Sequence, residues 1–177
     1  MTTLTPVALS QDRVDTLGLR KALGRFATGV TIVTTRSATG TAVGLTANSF
    51  SAVSLDPPLV LWSLRRDARS AASFRAAGRF AVNVLAADQL PLARRFSASI
   101  EDRFPDTGTR AGLGGCLLID GCLAHFECTL QQTIEGGDHL VFIGRVERAA
   151  QREGDPLIFA NGAYCISGPT ALAAAAE

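Results

Sequence analysis

The chain is expected to fold as a mainly β protein, an antiparallel barrel with a few flanking helices, and three observations predict it. Short β-rich runs recur along its length, at 30–35 (VTIVTT), 59–63 (LVLWS), 79–85 (RFAVNVL), 123–132 (LAHFECTLQQ) and 139–147 (HLVFIGRVE). Turn signals separate them: SATG at 37–40, Asp120 with Gly121, EGGD at 135–138 and Asn161 with Gly162. There is no regular alternation of strand and long helix, which excludes a doubly wound parallel sheet. Closing an antiparallel sheet into a barrel is the economical arrangement, because it removes exposed edges.

The elements follow in order. Leu19, Leu23 and Phe26 recur at helical spacing, Arg20, Lys21 and Arg25 fall off that stripe, and Gly29 stands where a C-cap glycine would end the helix. Strand 30–35 and the turn at 37–40 lead into a second strand from Ala42, which continues through 44–58 (GLTANSFSAVSLDPP) until Pro57 and Pro58 break it. After 59–63, a short helix around Phe74 is expected, capped by Ser70 and stopped by Gly78. Asp88 is expected to cap a helix in which Leu92 and Phe96 lie one turn apart. Residues 97–115 are polar and Gly-rich and predict no element. Asp120 and Gly121 signal a hairpin. In the run after it, Ala124, Phe126, Cys128 and Leu130 share one face, and His125, Glu127 and Thr129 form a polar outer face.

Composition bounds the function. With 177 residues, 47% hydrophobic and 19% charged, one globular domain with a real core is expected, and no apolar run spans a bilayer. The start shows no basic-then-apolar leader, so a cytoplasmic address is expected. A net charge of +1 implies neither nucleic-acid nor membrane binding. Cys116, Cys122, Cys128 and Cys165 form no CxxC pair and read as small buried hydrophobes. The GLGG at 112–115 lacks the spacing and the following helix of a dinucleotide fingerprint.

The chemistry-bearing residues are few. No Ser sits in a GxSxG elbow, so nucleophilic hydrolysis has no support. His125, Glu127, Asp138 and His139 have metal-ligand types, but their spacing matches no ligand motif and no metal is expected. Segment 44–58 is more informative: Thr46, Asn48, Ser49, Ser51 and Ser54 offer neutral hydrogen-bonding groups with no charge before Asp56. On composition alone it reads as an ordinary Ser/Thr-rich strand and turn. Arg65, Arg66 and Arg69 follow; Arg forks match phosphate oxygens, and a solvated basic face has the same letters.

Taken in order, LGRFATGVTIVTT (23–35), GLTANSFSAVSLDPPLVLWSL (44–64), RSAASF (69–74), FAVNVL (80–85), GGDHLVFIGRV (136–146) and PLIFANGAY (156–164) resemble the short-chain flavin reductase family. The resemblance runs from about Leu19 to Tyr164, and linked motifs make it specific. These enzymes are the reductase halves of two-component flavin-dependent monooxygenases. The resemblance implies an FMN-binding split β-barrel with a Greek-key core, a homodimer, binding of FMN or FAD, and NADH as reductant, with NADPH possible. It implies a domain at 16–168 between an N-terminal extension, 1–15, and a C-terminal tail, 169–177.

Carried over residue by residue, it places flavin binding on Thr46, Ala47, Asn48, Ser49 and Ser51, then on Ser63, Leu64, Arg69, Ser70 and Phe96. His139 of the GDH motif, the catalytic candidate, and Tyr164 fall on the nicotinamide side. Hydride transfer between two stacked flat rings needs positioning and dryness rather than a protein nucleophile. Two departures stand out: SLRRDARS at 63–70 is unusually rich in Arg, and FANGAY at 159–164 is less aromatic than the family pattern. Two other classes remain open on a related barrel, a non-catalytic flavin- or haem-type binding protein and an oxidase of the pyridoxamine phosphate type.

Overall fold

The β-branched run at 30–35 lies at the centre of the molecule. A computed structural model describes Leu4, Val7 and residues 15–166; the rest of the expected N-terminal extension and the C-terminal tail lie outside the described residues. The run forms β2 (Thr31–Arg36), preceded by the two-residue β1 (Thr28–Gly29). β2 is buried on both faces, which is why it shows no polar alternation: Val33 enters one core and Ile32 another. Its threonines are satisfied by main chain, Thr31 donating to the Ala47 carbonyl and Thr35 to that of Arg79, both at 2.7 Å.

Seven strands form the main sheet. They are β2, β3 (Ala42–Ala47), β4 (Ser51–Leu55), β5 (Pro58–Arg65), β6 (Arg79–Val84), β9 (Ala124–Gly136) and β10 (His139–Gln151), in the order β3-β2-β6-β9-β10-β5-β4 with every pair antiparallel. β7 (Thr109–Ala111) pairs with β8 (Leu117–Ile119) as a small second layer. β11 (Leu157–Ala160) pairs with both β1 and β12 (Ala163–Ile166). The expected turn at Asn161 and Gly162 joins β11 to β12, both residues having positive φ (53° and 77°) as a two-residue hairpin requires.

The sheet curls around an aromatic interior. Trp62 and Phe142 stack with centroids 4.7 Å apart and planes 13° apart, and Phe74 meets Trp62 edge-on at 4.8 Å. Burying each such ring contributes about 1.5–3 kcal/mol before entropy is charged against it. Gly144 of β10 makes room for a further ring: a Cβ there would lie 2.7 Å from Phe80 Cε1 and 3.0 Å from Cys128 Cβ. A second cluster, with Ile32, Leu85, Phe96 and Leu157, packs under helix α3 (Leu90–Ser97).

Several expectations are corrected. Helix α1 (Thr16–Leu23) forms but ends at Gly24, not Gly29, and none of its residues is buried; Phe26 is 78% exposed. Segment 44–58 is two strands, because the chain leaves β2 at Ala47 and re-enters the sheet beside β5, at the other end of the strand order. Helix α2 (Ala71–Ala76) begins after Ser70 and precedes Gly78 (φ 65°), but Ser70 has helical backbone angles and its hydroxyl does not cap. Asp88 does not cap α3 (Leu90–Ser97); Gln89 precedes that helix, after a 3-10 turn over Ala87–Gln89, and its side chain accepts from the Ala86 amide at 3.0 Å.

Asp120 and Gly121 turn the chain without making a hairpin, since β8 pairs back to β7 while β9 pairs with β6 and β10. The β7–β8 layer covers the outer face of β9, so His125 and Glu127 are buried, not solvent-facing. His125 Nε2 lies 2.9 Å from the Ile119 carbonyl, and the Glu127 carboxylate accepts the Leu113 amide. Three cysteines are buried, but Cys165 is exposed. Among the described residues no helix is long and apolar enough to cross a membrane.

Candidate functional site

One large cleft, about 1140 Å³, opens between β3 and the Ser63–Ser70 stretch that ends β5 and leads into α2, with residues 96–104 on its far side. Its existence follows from the crossing at Asn48–Phe50. Ser49, placed between the strands, uses its hydroxyl to donate to the Ser63 carbonyl at 3.0 Å and to accept the Ser63 amide at 2.9 Å. That fixes the crossing against β5.

The sequence-predicted residues come together in large part. Thr46, Ala47, Asn48, Ser49, Ser63, Leu64, Arg69, Ser70, Phe96 and His139 all line this cleft. Their side chains are not equivalent. Thr46 donates to the Ala93 carbonyl at 2.7 Å, so it ties β3 to α3 and offers the cleft main chain. Asn48 is exposed and, among the described residues, hydrogen-bonds to none. Phe96 is 1% exposed and forms floor rather than wall. Arg69 is exposed beside the uncommitted Ser70 hydroxyl, while neighbouring Arg65 is paired bidentately to Asp67 at 2.6 and 3.0 Å. The pair holds the Arg65 guanidinium above its ordinary pKa.

His139 opens β10 at the rim, opposite Arg65 in register. Its Nδ1 lies 2.8 Å from Asp138 Oδ1. The hydrogen bond from His139, reinforced by its charge, holds the Asp138 carboxyl below the usual carboxylate range. With Nδ1 engaged, Nε2 is the imidazole nitrogen left for a ligand.

Two predicted residues lie elsewhere. Ser51 is on β4, exposed, its hydroxyl donating to the adjacent Ala52 carbonyl at 3.2 Å. Tyr164 is on β12 with its ring 5.3 Å from Phe159, outside the lining of its own chain's cleft. The sequence reading missed the opposite wall, where Ser99, Glu101, Arg103 and Phe104 stand across from Thr41 and Gly44. Those residues sit in the stretch without periodicity, and no sequence signal marks them. Among the described residues no three of His, Cys, Asp or Glu gather as a metal would need.

The chain resembles known proteins over most of its length. A family model described as "Flavin reductase like domain" matches residues 23–168. FMN reductase (NADH) SmoA of Agrobacterium fabrum is 46% identical over 145 residues, 82% of this chain and 82% of that protein. A probable flavin reductase of Rhizobium meliloti is 45% identical over 85% of this chain, which spans only 48% of that longer relative. The reductase subunit of a flavin-dependent monooxygenase from Rhodococcus jostii is 40% identical over 89% of this chain and 80% of its own length. Among solved structures, nitrilotriacetate monooxygenase component B from Mycobacterium thermoresistibile superposes with a TM-score of 0.87 at 39% identity, covering 92% of each chain. The NADH:FAD oxidoreductase of Streptomyces globisporus, solved with NAD and FAD fragments, gives 0.84 at 39% identity over 89% of this chain and 95% of that one.

Proposed function

The chain belongs to the flavin reductase-like family, and from that premise we propose that it is an NADH-dependent flavin reductase handing reduced FMN or FAD to a partner monooxygenase. NADH is the principal donor and NADPH a secondary one. The functional unit is residues 16–168. The observation that carries the reading is the cleft itself: a neutral wall at 46–49, a cationic and hydroxyl-bearing wall at Arg69 and Ser70, and an oriented imidazole at the rim.

The donor set suits a flavin. A neutral ring asks for main-chain and amide groups, which the outer edge of β3 and the free side chain of Asn48 supply. A phosphate asks for a fork and a hydroxyl, which Arg69 and Ser70 supply. When bound, the flavin accepts hydride from the nicotinamide and supplies the redox chemistry. The protein's work is positional. Ala47, Asn48 and Ser49 fix the ring edge, Ser63 and Leu64 flank it, Phe96 supports the floor, and His139 holds the nicotinamide through Nε2. Donors on the 46–49 wall also favour the electron-rich reduced ring. Ser51 and Tyr164 are assigned no role within their own chain's cleft.

A homodimer is part of the proposal. Leu17, Leu23, Phe26 and Leu55 are 64–93% exposed, and among the described residues none of α1 is buried, so a second copy is the natural cover for these surfaces. A cytoplasmic location belongs to it too, since reductase, NADH and oxygenase must share a compartment. The test is to mix the protein with NADH and either flavin and follow the nicotinamide absorbance band. Consumption well above the protein-free rate is expected; none with either flavin would sink the assignment.

A further inference from the structure

A second cavity, about 260 Å³, lies at the far end of β10 from His139, where Ala150 and Gln151 pair with His125 and Ala124 of β9. It is smaller than the roughly 300–1,000 Å³ of sites that take drug-sized ligands, yet it has room for several waters at about 30 Å³ each. A nucleotide does not fit there; a small oxyanion does. Cations meet a buried imidazole in its lining.

Arg110 and Arg152 supply the charge. Arg152 is held by main chain: Nε donates to the Cys122 carbonyl at 3.2 Å, Nη1 to that of Glu153 at 2.9 Å, and Nη2 to that of Gly121. Carbonyls fix the guanidinium but leave its charge uncompensated, and among the described residues no carboxylate pairs with it. Arg110, on β7, has one acidic partner, Asp120, whose Oδ1 is 3.5 Å from Nη1 with both side chains more than half exposed. An exposed pair of that length is weak and yields to a better-placed anion.

His125 is 7% exposed and lines the same cavity. Its Nε2 lies 2.9 Å from the Ile119 carbonyl, which can only accept, so Nε2 carries the proton and Nδ1 of the neutral ring is an acceptor. Nδ1 has no partner among the described residues, yet the only sealed, unpartnered side-chain atoms among those residues are Thr28 Oγ1 and Trp62 Nε1. It therefore opens on the cavity. An acceptor beside two guanidinium groups asks for an anion that still carries a proton.

We propose that this cavity binds phosphate, inorganic or as a small monoester, with Arg110 and Arg152 holding its anionic oxygens and His125 Nδ1 accepting a hydrogen bond from its P–OH. The site is independent of flavin chemistry. Sulfate is the discriminating probe, because at neutral pH it has the shape and charge of phosphate without the proton.

The chain has two histidines, His125 and His139, so ring NMR signals report the two sites separately. Both are followed while inorganic phosphate, sulfate or chloride is added at constant pH and ionic strength. Phosphate is expected to move the His125 signal saturably, half-saturating in the millimolar range or below, with sulfate at least about tenfold weaker and chloride without effect. Arg110→Gln, at an exposed side chain, is expected to weaken phosphate about tenfold, the scale of one charge-assisted contact, and Arg152→Gln at least as much. A His125 signal that stays flat in phosphate, moves equally in sulfate, or keeps its wild-type midpoint within about twofold in Arg110→Gln overturns the proposal. Movement of His139 alone locates the phosphate in the cleft and overturns it too. None of these outcomes bears on NADH oxidation, so the reductase reading stands or falls separately.

Discussion

One hydroxyl, that of Ser49, serves both main-chain groups of Ser63, donating to its carbonyl at 3.0 Å and accepting its amide at 2.9 Å. β4 stops pairing with β5 at Ser51 and Leu61, so Ser63 lies past its end, and a side chain takes over where a strand neighbour is missing. Ser49 is thereby a structural joint as well as part of the neutral wall.

Replacing it separates these roles. Ser49→Ala is expected to cost about 1–2 kcal/mol through two lost hydrogen bonds, lowering Tm by roughly 2–6 °C. Asn48→Ala, at an exposed side chain with no bond to the described chain, should leave Tm unchanged and weaken flavin roughly three- to tenfold. Thermal unfolding and flavin titration of both variants check this; unchanged flavin affinity in both would dismiss the proposed cradle.

Gly44→Ala is an overpacking test. With Phe96 buried and Phe104 against it, the added methyl has no free direction, and a destabilisation of about 1–3 kcal/mol is expected by urea unfolding. A neutral result would mean that the Phe104 loop yields easily.

Thiol chemistry reports the fold. Burial pushes the Cys122 and Cys128 thiols up to about 12 and raises Cys116, whereas Cys165 is exposed. A thiol reagent near pH 8 should therefore modify one of the four cysteines in the native protein and all four after unfolding. Rapid labelling of more than one would contradict the packing described.

The Asp138–His139 pair predicts a pH dependence of definite sign. Because the folded-state pKa of Asp138 is depressed, its stabilising contribution is present above the ordinary carboxylate value of about 3.9 and is lost as pH falls through the folded value. The Tm difference between wild type and Asp138→Asn should be present above the carboxylate range and close as pH is lowered below about 4. A gap that widens in acid would reverse the assignment.

Elements built on local rules were legible. Asn161 and Gly162 announce their hairpin because both must take positive φ, and the run at 30–35 announces a strand because β-branched side chains suit little else. Long-range features were not. Alternation in β9 told which side His125 and Glu127 share, but not that β7 and β8 would cover that side. The break at Asn48–Phe50 carries no Gly or Pro, so one strand was read where the chain changes edges. The neutral wall was legible as composition and motif. Arg103 was not, because its partners are the carbonyls of Gly44 and Ala98, and a carbonyl leaves no trace in the letters.

Leaving β3 unpaired on one side has a cost that falls on the empty protein. An open strand edge is a template for another chain's strand, and natural β proteins blunt such edges by capping or charge. Here the edge is bordered by Ala47, Asn48 and Ser49, with no charge among them. On the proposed function, a flavin lying along that border would cover the edge. Storage, expression yield and resistance to self-association should thus depend on supplied flavin, quite apart from any turnover.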